Sequence, residues 1–313
     1  MDTDRTFRPQ KLSDCLGQDE IRRNLKVYVA SAKARNEPIE HLLFSGHPGL
    51  GKTTLAGALA AEMGGKLITV NAPSLKIKGD LVAIIGQLGP GDILFLDEIH
   101  ALKRELQEIL YPVLEDFKLE IAAGPSTISM KLAPFTLIGA TTHQGKLSKP
   151  MRDRFGDICE LRLYKPEELV AIVIRASEKM GFKITTPAAY AIANRAQGTP
   201  RIALRITRRV RDFALSARVQ LVNDMFVHTI CQQIGIDSAG LDSIARRMLR
   251  LLVNRGKAVG LQAIAAQLGE CLETIESCVE PFLLAQEFVE RAQSGRVVTP
   301  KGAQHLQSCG FAN

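Results

Sequence analysis

Residues 46–54 read GHPGLGKTT, a glycine-rich run that matches the pattern G-x-x-x-x-G-K-T. In this pattern the glycines let successive backbone N–H groups turn inward around phosphate oxygens. Lys52 would reach the outer phosphates, and the hydroxyl of Thr53 would hold Mg²⁺. The apolar run HLLFSG precedes the loop and the helical stretch LAGALAAEMG follows it, which is the required strand–loop–helix context. The sequence therefore predicts a nucleoside triphosphate site.

A pair of carboxylates, Asp97 and Glu98, follows the apolar run in DILFLDEIH (92–100). Such a run is typical of a buried parallel strand, and ligands bind at the carboxyl ends of these strands. Asp97 can support Mg²⁺, and Glu98 can polarise a water molecule. An acidic pair after a strand can also be a helix cap, but beside a phosphate loop an in-line hydrolysis site is favoured. The predicted reaction is ATP hydrolysis.

A third apolar run, FTLIGATT (135–142), ends in hydroxyl side chains. Its position predicts another buried strand of the same sheet. Thr142 could orient the attacking water against the γ-phosphate, or it could only cap the strand.

Two arginines, Arg152 and Arg154, stand in the segment KPMRDRFG shortly after that strand. An arginine finger stabilises the charge that develops on a phosphoryl group during transfer. A segment so close behind a strand is expected to project from a domain edge, towards the ATP of a neighbouring subunit. The alternative is a structural salt bridge to Asp153 or Asp157.

Three segments differ in their periodicity and predict three domains. Residues 1–164 alternate strands and helices, which predicts an α/β fold with a doubly wound parallel sheet. Residues 165–238 show helical periodicity only, with Gly198 closing one helix and Pro200 opening the next. Residues 239–313 predict a winged helix, because helical stretches precede the hairpin FVERAQSGRVVTPKG.

The chain has 313 residues, 46% of them hydrophobic, and a formal net charge of +7. No apolar run is long enough to span a bilayer and the polar start MDTDRTFRPQ is unlike a signal peptide, so we expect a cytoplasmic protein without membrane contact. The six cysteines lack metal-binding spacing and are expected to be reduced thiols. The positive excess lies in residues 165–238, with 11 Lys and Arg against 6 Asp and Glu. Its densest part, PRIALRITRRVR, could be a nucleic-acid surface, a helix facing phosphates or a solvated helix face.

Together the motifs resemble those of the AAA+ ATPases, and among them those of the RuvB family of Holliday-junction branch-migration motors. The resemblance runs from about residue 7 to residue 308. It is carried by FRPQKLSDCLGQ, HLLFSGHPGLGKTTLA, LFLDEIHAL, LYPVLEDF, PFTLIGATT, RDRFG, GTPRIA and the C-terminal VGLQAIAAQLGE, ETIE and VEPFLL. Of these, LYPVLEDF, PFTLIGATT and GTPRIA in this order are close to family-specific.

The resemblance implies a role for each candidate residue. The catalytic set would be Lys52, Asp97, Glu98, Thr142 and Arg154, the last acting in trans with Arg152 as its companion. The metal would be served by Thr53 and Asp97. The chain's own nucleotide would be contacted by Phe7, Arg8, Gly49, Lys52, Thr53, Thr54, Tyr164 and, from a helical lid, Arg201. A neighbour's nucleotide would be reached by Glu115, Asp116, Phe117 and Arg154.

The family's activity is ATP-driven translocation of duplex DNA, which branch-migrates four-way junctions in recombination and repair. ATP and Mg²⁺ would be needed, and the chain would form a hexameric ring working with the junction-binding RuvA and the resolvase RuvC. An ATP-switched DNA-binding initiator and a clamp-loader-like remodeller are the alternatives. The presence of Glu98, Thr142 and Arg154 favours repeated turnover over a static switch.

Charges in the winged helix favour the wing as the DNA contact. The presumed recognition helix carries Glu273, Glu276 and Glu280, which phosphates would repel. The resemblance implies that Arg291 and Arg296 of the hairpin contact the DNA backbone without reading its sequence. A role in protein–protein contact is the alternative for this domain.

The chain departs from the family at two points. Ser294 stands where the family has a further basic residue in the wing, which predicts weaker DNA binding. The segment 119–132 predicts a hairpin with a Gly-Pro turn, where the family contacts RuvA, and here the hairpin is expected to be shorter.

Overall fold

A computed structural model describes residues 9–123 and 126–308 of the chain, with side chains at 121–123 and 126–128 left aside. The described residues form two compact units. The first comprises the chain up to Glu168 together with Thr199–Arg201, and the second comprises Leu169–Gly198 and the residues from Ile202 onward.

The first unit is built on a five-stranded parallel sheet with a two-stranded hairpin beside it in the chain. Its strands are β1 (Leu42–Ser45), β2 (Leu67–Asn71), β3 (Ile93–Asp97), β4 (Lys118–Ala123), β5 (Ser126–Lys131), β6 (Thr136–Thr141) and β7 (Asp157–Glu160). The sheet order is β2-β3-β6-β1-β7, with every neighbouring pair parallel. This confirms the predicted doubly wound parallel sheet.

The central strands are buried because their side chains are apolar on both faces, as helices cover both sides of such a sheet. Phe44 of β1 and Phe95 of β3 are fully buried, and all six residues of β6 are buried. Register places Ser45 opposite Thr141, so the loops after β1 and β6 leave the sheet at the same edge. That edge is where the predicted nucleotide residues must meet.

Five α-helices of the first unit alternate with the strands. They are α1 (Asp19–Arg35), α2 (Lys52–Met63), α3 (Lys78–Ile85), α4 (Arg104–Asp116) and α5 (Lys149–Arg152). Short 3₁₀ turns lie at Leu12–Asp14, Ala72–Ser74, Ile99–Ala101 and Gln144–Lys146. Helix α4 contains Pro112 and ends where Phe117 takes a left-handed conformation with φ 53°.

The hairpin predicted at 119–132 is present as β4 and β5, which pair antiparallel with Lys118 opposite Lys131. Its predicted Gly-Pro turn at 124–125 lies outside the described residues. Leu119 is fully buried against the core of the first unit, so the base of the hairpin is anchored there.

The second unit is helical with two small pairs of strands. Its helices are α6 (Pro166–Lys179), α7 (Thr186–Ala193), α8 (Pro200–Ser216), α9 (Asp224–Gln233), α10 (Ser243–Arg255), α11 (Leu261–Leu268), α12 (Leu272–Thr274), α13 (Glu280–Ala285) and α14 (Pro300–Ser308). The first residues of α6 and of α8 belong to the first unit. Its strands are β8 (Lys183–Ile184) and β9 (Leu221–Val222), which pair parallel, and β10 (Val289–Ala292) and β11 (Gly295–Val298), which pair antiparallel.

Local sequence explains where these helices begin. Thr185, Asn223 and Asp242 each accept a hydrogen bond from a backbone N–H of the following first turn. Pro200 is the first residue of α8, as predicted, because its fixed φ suits a first helical turn. On the basic helix α8, Arg209 and Arg211 both pair with Asp212. The carboxylate of Asp212 offsets part of the positive charge of this helix.

The presumed recognition helix differs from the single helix that the sequence predicts. Between α12 and α13 the residues Ile275–Val279 form a π-helical turn. Pro281 stands two residues after the end of this turn, and in a regular α-helix its ring would clash with the carbonyl of Ser277. The wider π turn relieves this clash while keeping Ile275 and Val279 in the core with Leu249 and Leu283.

The five cysteines within the described residues are free thiols, as expected; Cys309 lies outside them. No helix within residues 9–123 and 126–308 is both long and apolar enough to cross a membrane.

Candidate functional site

The phosphate loop leaves β1 at Gly46 and ends where α2 begins at Lys52. Gly51 occupies the N-cap of α2 and offers no side chain to the first-turn N–H groups. These donors and the positive end of the helix dipole are then available to an anion. Thr53 and Thr54 stand in this first turn, so the structure brings the predicted phosphate residues together.

Lys52 is the buried cation of the loop. Its Nζ donates to the carbonyl oxygens of Gly46 at 2.6 Å and His47 at 3.1 Å. Burial lowers the pKa of Lys52, while the nearby carboxylates of Asp97 and Glu98 act in the opposite direction. The ammonium group is thus held over the loop, where it can exchange carbonyl partners for phosphate oxygens.

Gly49 lets Arg201 approach the loop. Its φ of 83° is left-handed, and a Cβ at this position would lie 2.8 Å from Cβ of Arg201 and 2.9 Å from Cγ2 of Thr199. The N–H of Arg201 points at the carbonyl of Gly49 at 3.4 Å. Thr199 and Arg201 therefore lie against the phosphate loop.

Asp97 ends β3, and Glu98 follows it in a left-handed conformation with φ 51°. Such a conformation is strained for a residue with a side chain, and strain of this kind clusters at functional sites. Burial and the neighbouring Glu98 raise the pKa of Asp97, while the N–H of Glu98 and the charge of Lys52 oppose the rise. Asp97 and Glu98 lie close enough to Lys52 for their charges to affect its pKa, so the site contains one cation and two carboxylates.

A chain of hydrogen bonds fixes the proton of the Thr142 hydroxyl. Oγ1 of Thr142 donates to Oε2 of Glu98 at 3.1 Å and lies 2.8 Å from Nδ1 of His143. Because a carboxylate only accepts and the hydroxyl has a single proton, Nδ1 of His143 must donate to Thr142. The hydroxyl can therefore point at Glu98 or, after reorientation, at another anion, but not at His143.

His100 is the other histidine at this carboxylate. Its Nδ1 lies 2.9 Å from Oγ1 of Thr141 and 3.3 Å from Oε2 of Glu98, and its ring meets that of His143 edge-on at 5.2 Å. Sequence reasoning missed both histidines. The signal was their position directly after the motifs, in DEIH and TTH, where each follows a candidate catalytic residue by one or two positions.

Tyr164, predicted to line the adenine pocket, contacts the phosphate loop. Its hydroxyl donates to the carbonyl of Leu50 at 3.1 Å, and its ring occupies the space that a Cβ on Gly17 would need. Burial raises the pKa of Tyr164 to about 12, so the phenol stays a neutral donor. Gln18, also missed from sequence, is buried and its amide binds the N–H and carbonyl of Arg162. The predicted adenine contacts Phe7 and Arg8 lie outside the described residues.

Metal binding at this site would depend on the nucleotide as well as on the protein. Within the described residues, no three His, Cys, Asp or Glu side chains are grouped so that they could hold a metal ion. Thr53 and Asp97 at the mouth of an uncapped helix still fit Mg²⁺, because this ion is usually bound by one or two protein ligands together with phosphate oxygens and water.

Arg154 lies at the opposite edge of the sheet. It precedes β7, and the N–H of Gly156 donates at 2.8 Å to the carbonyl of His41, the residue before β1. The phosphate loop instead follows the carboxyl end of β1. The four residues of β1 separate the two edges by about 13 Å. Arg154 is therefore directed away from the phosphate loop of its own chain.

An ion pair holds Arg154 to the end of α4. Its Nη2 lies 3.0 Å from Oε1 of Glu115, its guanidinium lies 4.0 Å above the ring of Tyr111, and its Nη1 donates to the carbonyl of Pro150. The alternative partners expected from sequence, Asp153 and Asp157, are not the residues it pairs with. The helix end places Glu115 closer, so Arg154 and the EDF segment of Glu115, Asp116 and Phe117 form one cluster. Arg152 ends α5 beside it.

His41 joins this cluster to the sheet. The N–H of Leu137 donates to its Nδ1 at 2.9 Å, so Nε2 carries the proton and donates to the carbonyl of Leu114 at 3.1 Å. The ring also packs against Phe117 and Phe135. Burial lowers the pKa of His41 to about 4, so the imidazole is neutral at physiological pH.

Stability of the first unit should fall in acid through His41. A depressed histidine pKa means that the unfolded chain binds the proton first, so the contribution is full above about pH 6.5 and is lost towards about pH 4. Between pH 7 and pH 4.5 the expected loss is about 2.5 kcal/mol. Urea unfolding at several pH values would measure it, and His41→Gln should give a flatter pH dependence. Equal slopes in the two proteins would contradict this assignment.

The wing arginines converge on one carboxylate of the second unit. Nε of Arg296 and Nε of Arg291 lie 2.7 Å and 3.1 Å from Oε1 of Glu280. Glu280 is turned away from solvent, because Pro281 and the π turn direct it into the domain, where it is fully buried. Glu273 and Glu276 are exposed, as expected. The hairpin turns at Gln293 and Ser294, with Ala292 opposite Gly295.

Comparison with known proteins agrees with this arrangement over the length of the chain. Three family models match: the Holliday junction DNA helicase RuvB P-loop domain over residues 7–161, the RuvB AAA lid domain over 164–237 and the RuvB C-terminal winged helix domain over 238–307.

Individual relatives are similar along nearly their whole length. The Holliday junction branch migration complex subunit RuvB of Helicobacter hepaticus is 47% identical, covering 95% of this chain and 92% of the relative. That of Kosmotoga olearia is 45% identical, covering 98% and 92%. The solved structure of the Thermotoga maritima RuvB Holliday junction branch migration motor is 40% identical, with a TM-score of 0.88 over 96% of this chain and 98% of that one. The chain belongs to the RuvB family.

Proposed function

We propose that this chain is an ATP-driven motor that translocates duplex DNA and branch-migrates Holliday junctions in recombination and repair. The relatives that match nearly its full length carry Holliday junction branch migration in their names. The observation that carries the proposal is the split between the two edges of the sheet. The phosphate loop and Glu98 lie at one edge and Arg154 at the other, so a complete hydrolysis site needs two chains.

Hydrolysis would begin with binding of ATP in the loop of one chain. Lys52, Thr53 and Thr54 would bind its phosphates, and Arg201 would contact them from the side of Gly49; the first-turn position of the two threonines and the close approach of Arg201 to Gly49 support this. Mg²⁺, held by Thr53 and with support from Asp97, would neutralise charge on the phosphates. Thr142 would turn its hydroxyl from Glu98 to the γ-phosphate, which frees the Glu98 carboxylate to accept a proton from the attacking water.

The second chain would supply Arg154 as a finger acting in trans. Its guanidinium is oriented by Glu115 and Tyr111, so the cost of ordering a long side chain is met before the neighbour arrives. Glu115, Asp116 and Phe117 would couple this cluster to the neighbour's nucleotide. A head-to-tail contact of this kind generates a ring when its rotation closes, and we propose a hexamer.

DNA would be bound by Arg291 and Arg296 on the wing. We further propose domains at 1–164, 165–238 and 239–313, a cytoplasmic location, and cooperation with RuvA and RuvC. The hairpin of β4 and β5 is the candidate RuvA contact, and its anchoring through Leu119 supports a fixed orientation of its base.

The function is tested on a synthetic four-way junction, by strand separation with ATP in the presence and absence of RuvA. Wild type should move the junction, whereas the Arg291→Ala, Arg296→Ala double variant should bind DNA more weakly at every sequence. Its plot of log affinity against log salt should flatten by about 2, one unit per lost phosphate contact.

Arg205→Ala is the control for loss of charge alone, because Arg205 is an exposed arginine of α8, outside the proposed winged domain. An unchanged salt slope in the double variant would mean that the winged domain contacts protein instead. An initiator or a clamp-loader-like remodeller would hydrolyse ATP without moving the junction, so the same assay separates these alternatives.

A further inference from the structure

Glu280 is a carboxylate with no exposed surface, although it stands on the helix next to the DNA-binding wing. Burial alone would raise its pKa, but hydrogen bonds from Arg296 and Arg291 outweigh burial and lower it. The group is therefore ionised at neutral pH, and its charge is shared between two arginines.

The two arginines stand directly opposite each other on β10 and β11. Like charges in opposite positions of an antiparallel pair repel and would drive the side chains apart. Oε1 of Glu280 accepts from both, which holds them side by side. Without this oxygen each long side chain would be free to sample many rotamers.

Both contacts use the same atom of each arginine. A guanidinium has five N–H donors, one on Nε and four on its two terminal nitrogens. Since Arg291 and Arg296 bind Glu280 through Nε, their terminal donors can serve an outside acceptor in the forked geometry that suits phosphate. Arg291 is 64% exposed and Arg296 21%, so the pair reaches from the domain towards solvent.

The burial of Glu280 carries an unfavourable contribution to the folding free energy. Its second oxygen, Oε2, is buried and makes no hydrogen bond within the described residues. A buried carboxylate with an unsatisfied oxygen costs folding free energy, because that oxygen gives up its hydrogen bonds to water and gains none in return. A role beyond folding accounts for its presence.

We propose that Glu280 is a positioning residue that sets Arg291 and Arg296 as a paired fork for the phosphate backbone of DNA. This rests on the proposed DNA-binding role of the wing. The partner is a nucleic-acid phosphate backbone, recognised by charge and geometry and not by base sequence.

The sign of a mutational effect tests the proposal, because charge and positioning act in opposite directions. Removing a negative charge near DNA should by itself strengthen binding. If Glu280 positions the arginines, Glu280→Gln, which keeps one acceptor oxygen, should weaken binding slightly, and Glu280→Met, which keeps only the size, should weaken it about fivefold to tenfold at 0.1 M salt, the scale of one phosphate contact.

Glu287→Gln is the matched control. Glu287 is an exposed carboxylate of the same domain that pairs with Lys301 at 3.2 Å, and within the described part of the chain it forms no ion pair with either wing arginine. Its loss removes the same charge and should leave DNA affinity equal or slightly higher. Binding by the two Glu280 variants that equals or exceeds that of wild type would overturn the proposal.

A second measurement, by NMR, separates loss of arginine positioning from loss of folding in the variants. Arginine Nε–H signals in NMR spectra of the full chain should show two slowly exchanging protons, for Arg291 and Arg296, which exchange faster in Glu280→Gln. Fast exchange in wild type would overturn the proposal without any variant. If the double arginine variant keeps wild-type affinity, the wing itself is wrongly assigned; if only the Glu280 variants do, the positioning role alone fails.

Discussion

Replacing Arg154 with alanine should reduce ATP turnover by about 10³–10⁵-fold, the usual contribution of an arginine finger, while ATP binding persists. Binding should survive because Arg154 precedes β7, at the edge of the sheet opposite the phosphate loop of its own chain. Phosphate release would measure turnover, and titration with a fluorescent nucleotide would measure binding. Arg104→Ala is the control, because Arg104 is a 91% exposed arginine on α4. A variant with lowered stability but normal turnover would leave Arg154 only its structural ion pair with Glu115.

Mixing Arg154→Ala with Glu98→Gln separates action in cis from action in trans. In shared rings some interfaces combine the intact Glu98 of one variant with the intact Arg154 of the other. Two inactive proteins should then recover activity, to at most about a quarter of wild type if subunits assort randomly around a closed head-to-tail ring. An arginine acting in cis gives no recovery, since every site still lacks one group. If the two variants are shown to form mixed rings and these rings stay inactive, Arg154 does not act on the ATP of a neighbouring subunit.

Glu98→Gln should bind ATP normally and hydrolyse it roughly 10²-fold or more slowly, the scale of a general base. Glutamine keeps the size of the side chain and can still accept the hydrogen bond from Thr142. Metal support by Asp97 is unchanged, so only proton acceptance is lost. Quenched-flow measurement of a single turnover would isolate the chemical step. Glu108→Gln, an exposed carboxylate on α4, should behave as wild type. Turnover close to wild type in Glu98→Gln would remove Glu98 from the mechanism.

The sheet and the phosphate loop could be predicted from sequence because both depend on local pattern. Continuous apolar runs are buried on both faces of a parallel sheet, and Leu42–Ser45, Ile93–Asp97 and Thr136–Thr141 formed as expected. Parallel strands end at the same edge of the sheet, so polar residues at or shortly after those ends must meet there. Lys52, Asp97, Glu98 and Thr142 accordingly lie at one edge.

Contacts between residues distant in the chain could not be predicted in the same way. Glu115 and Arg154 pair because the end of α4 and the loop before β7 meet at one edge, and no spacing in the sequence reports this. The burial of Glu280 depends on the π turn before Pro281, which the local sequence pattern does not report. The histidines next to Glu98 and Thr142 were visible in sequence, but their ring nitrogens become informative only with distances to the hydroxyls.

The π turn at Ile275–Val279 keeps two faces of this helix in phase. Each residue of a regular α-helix turns the following face by about 100°, so Glu280, five positions after Ile275, would point about 140° away from it. Both side chains are instead fully buried, because a π turn takes up one extra residue and brings positions five apart onto one face. If the same residues formed a regular α-helix, either the apolar face would leave the core or the carboxylate would leave the arginines. Deleting one residue of the turn would keep the phase, so this helix tolerates a change in length better than a change in regularity.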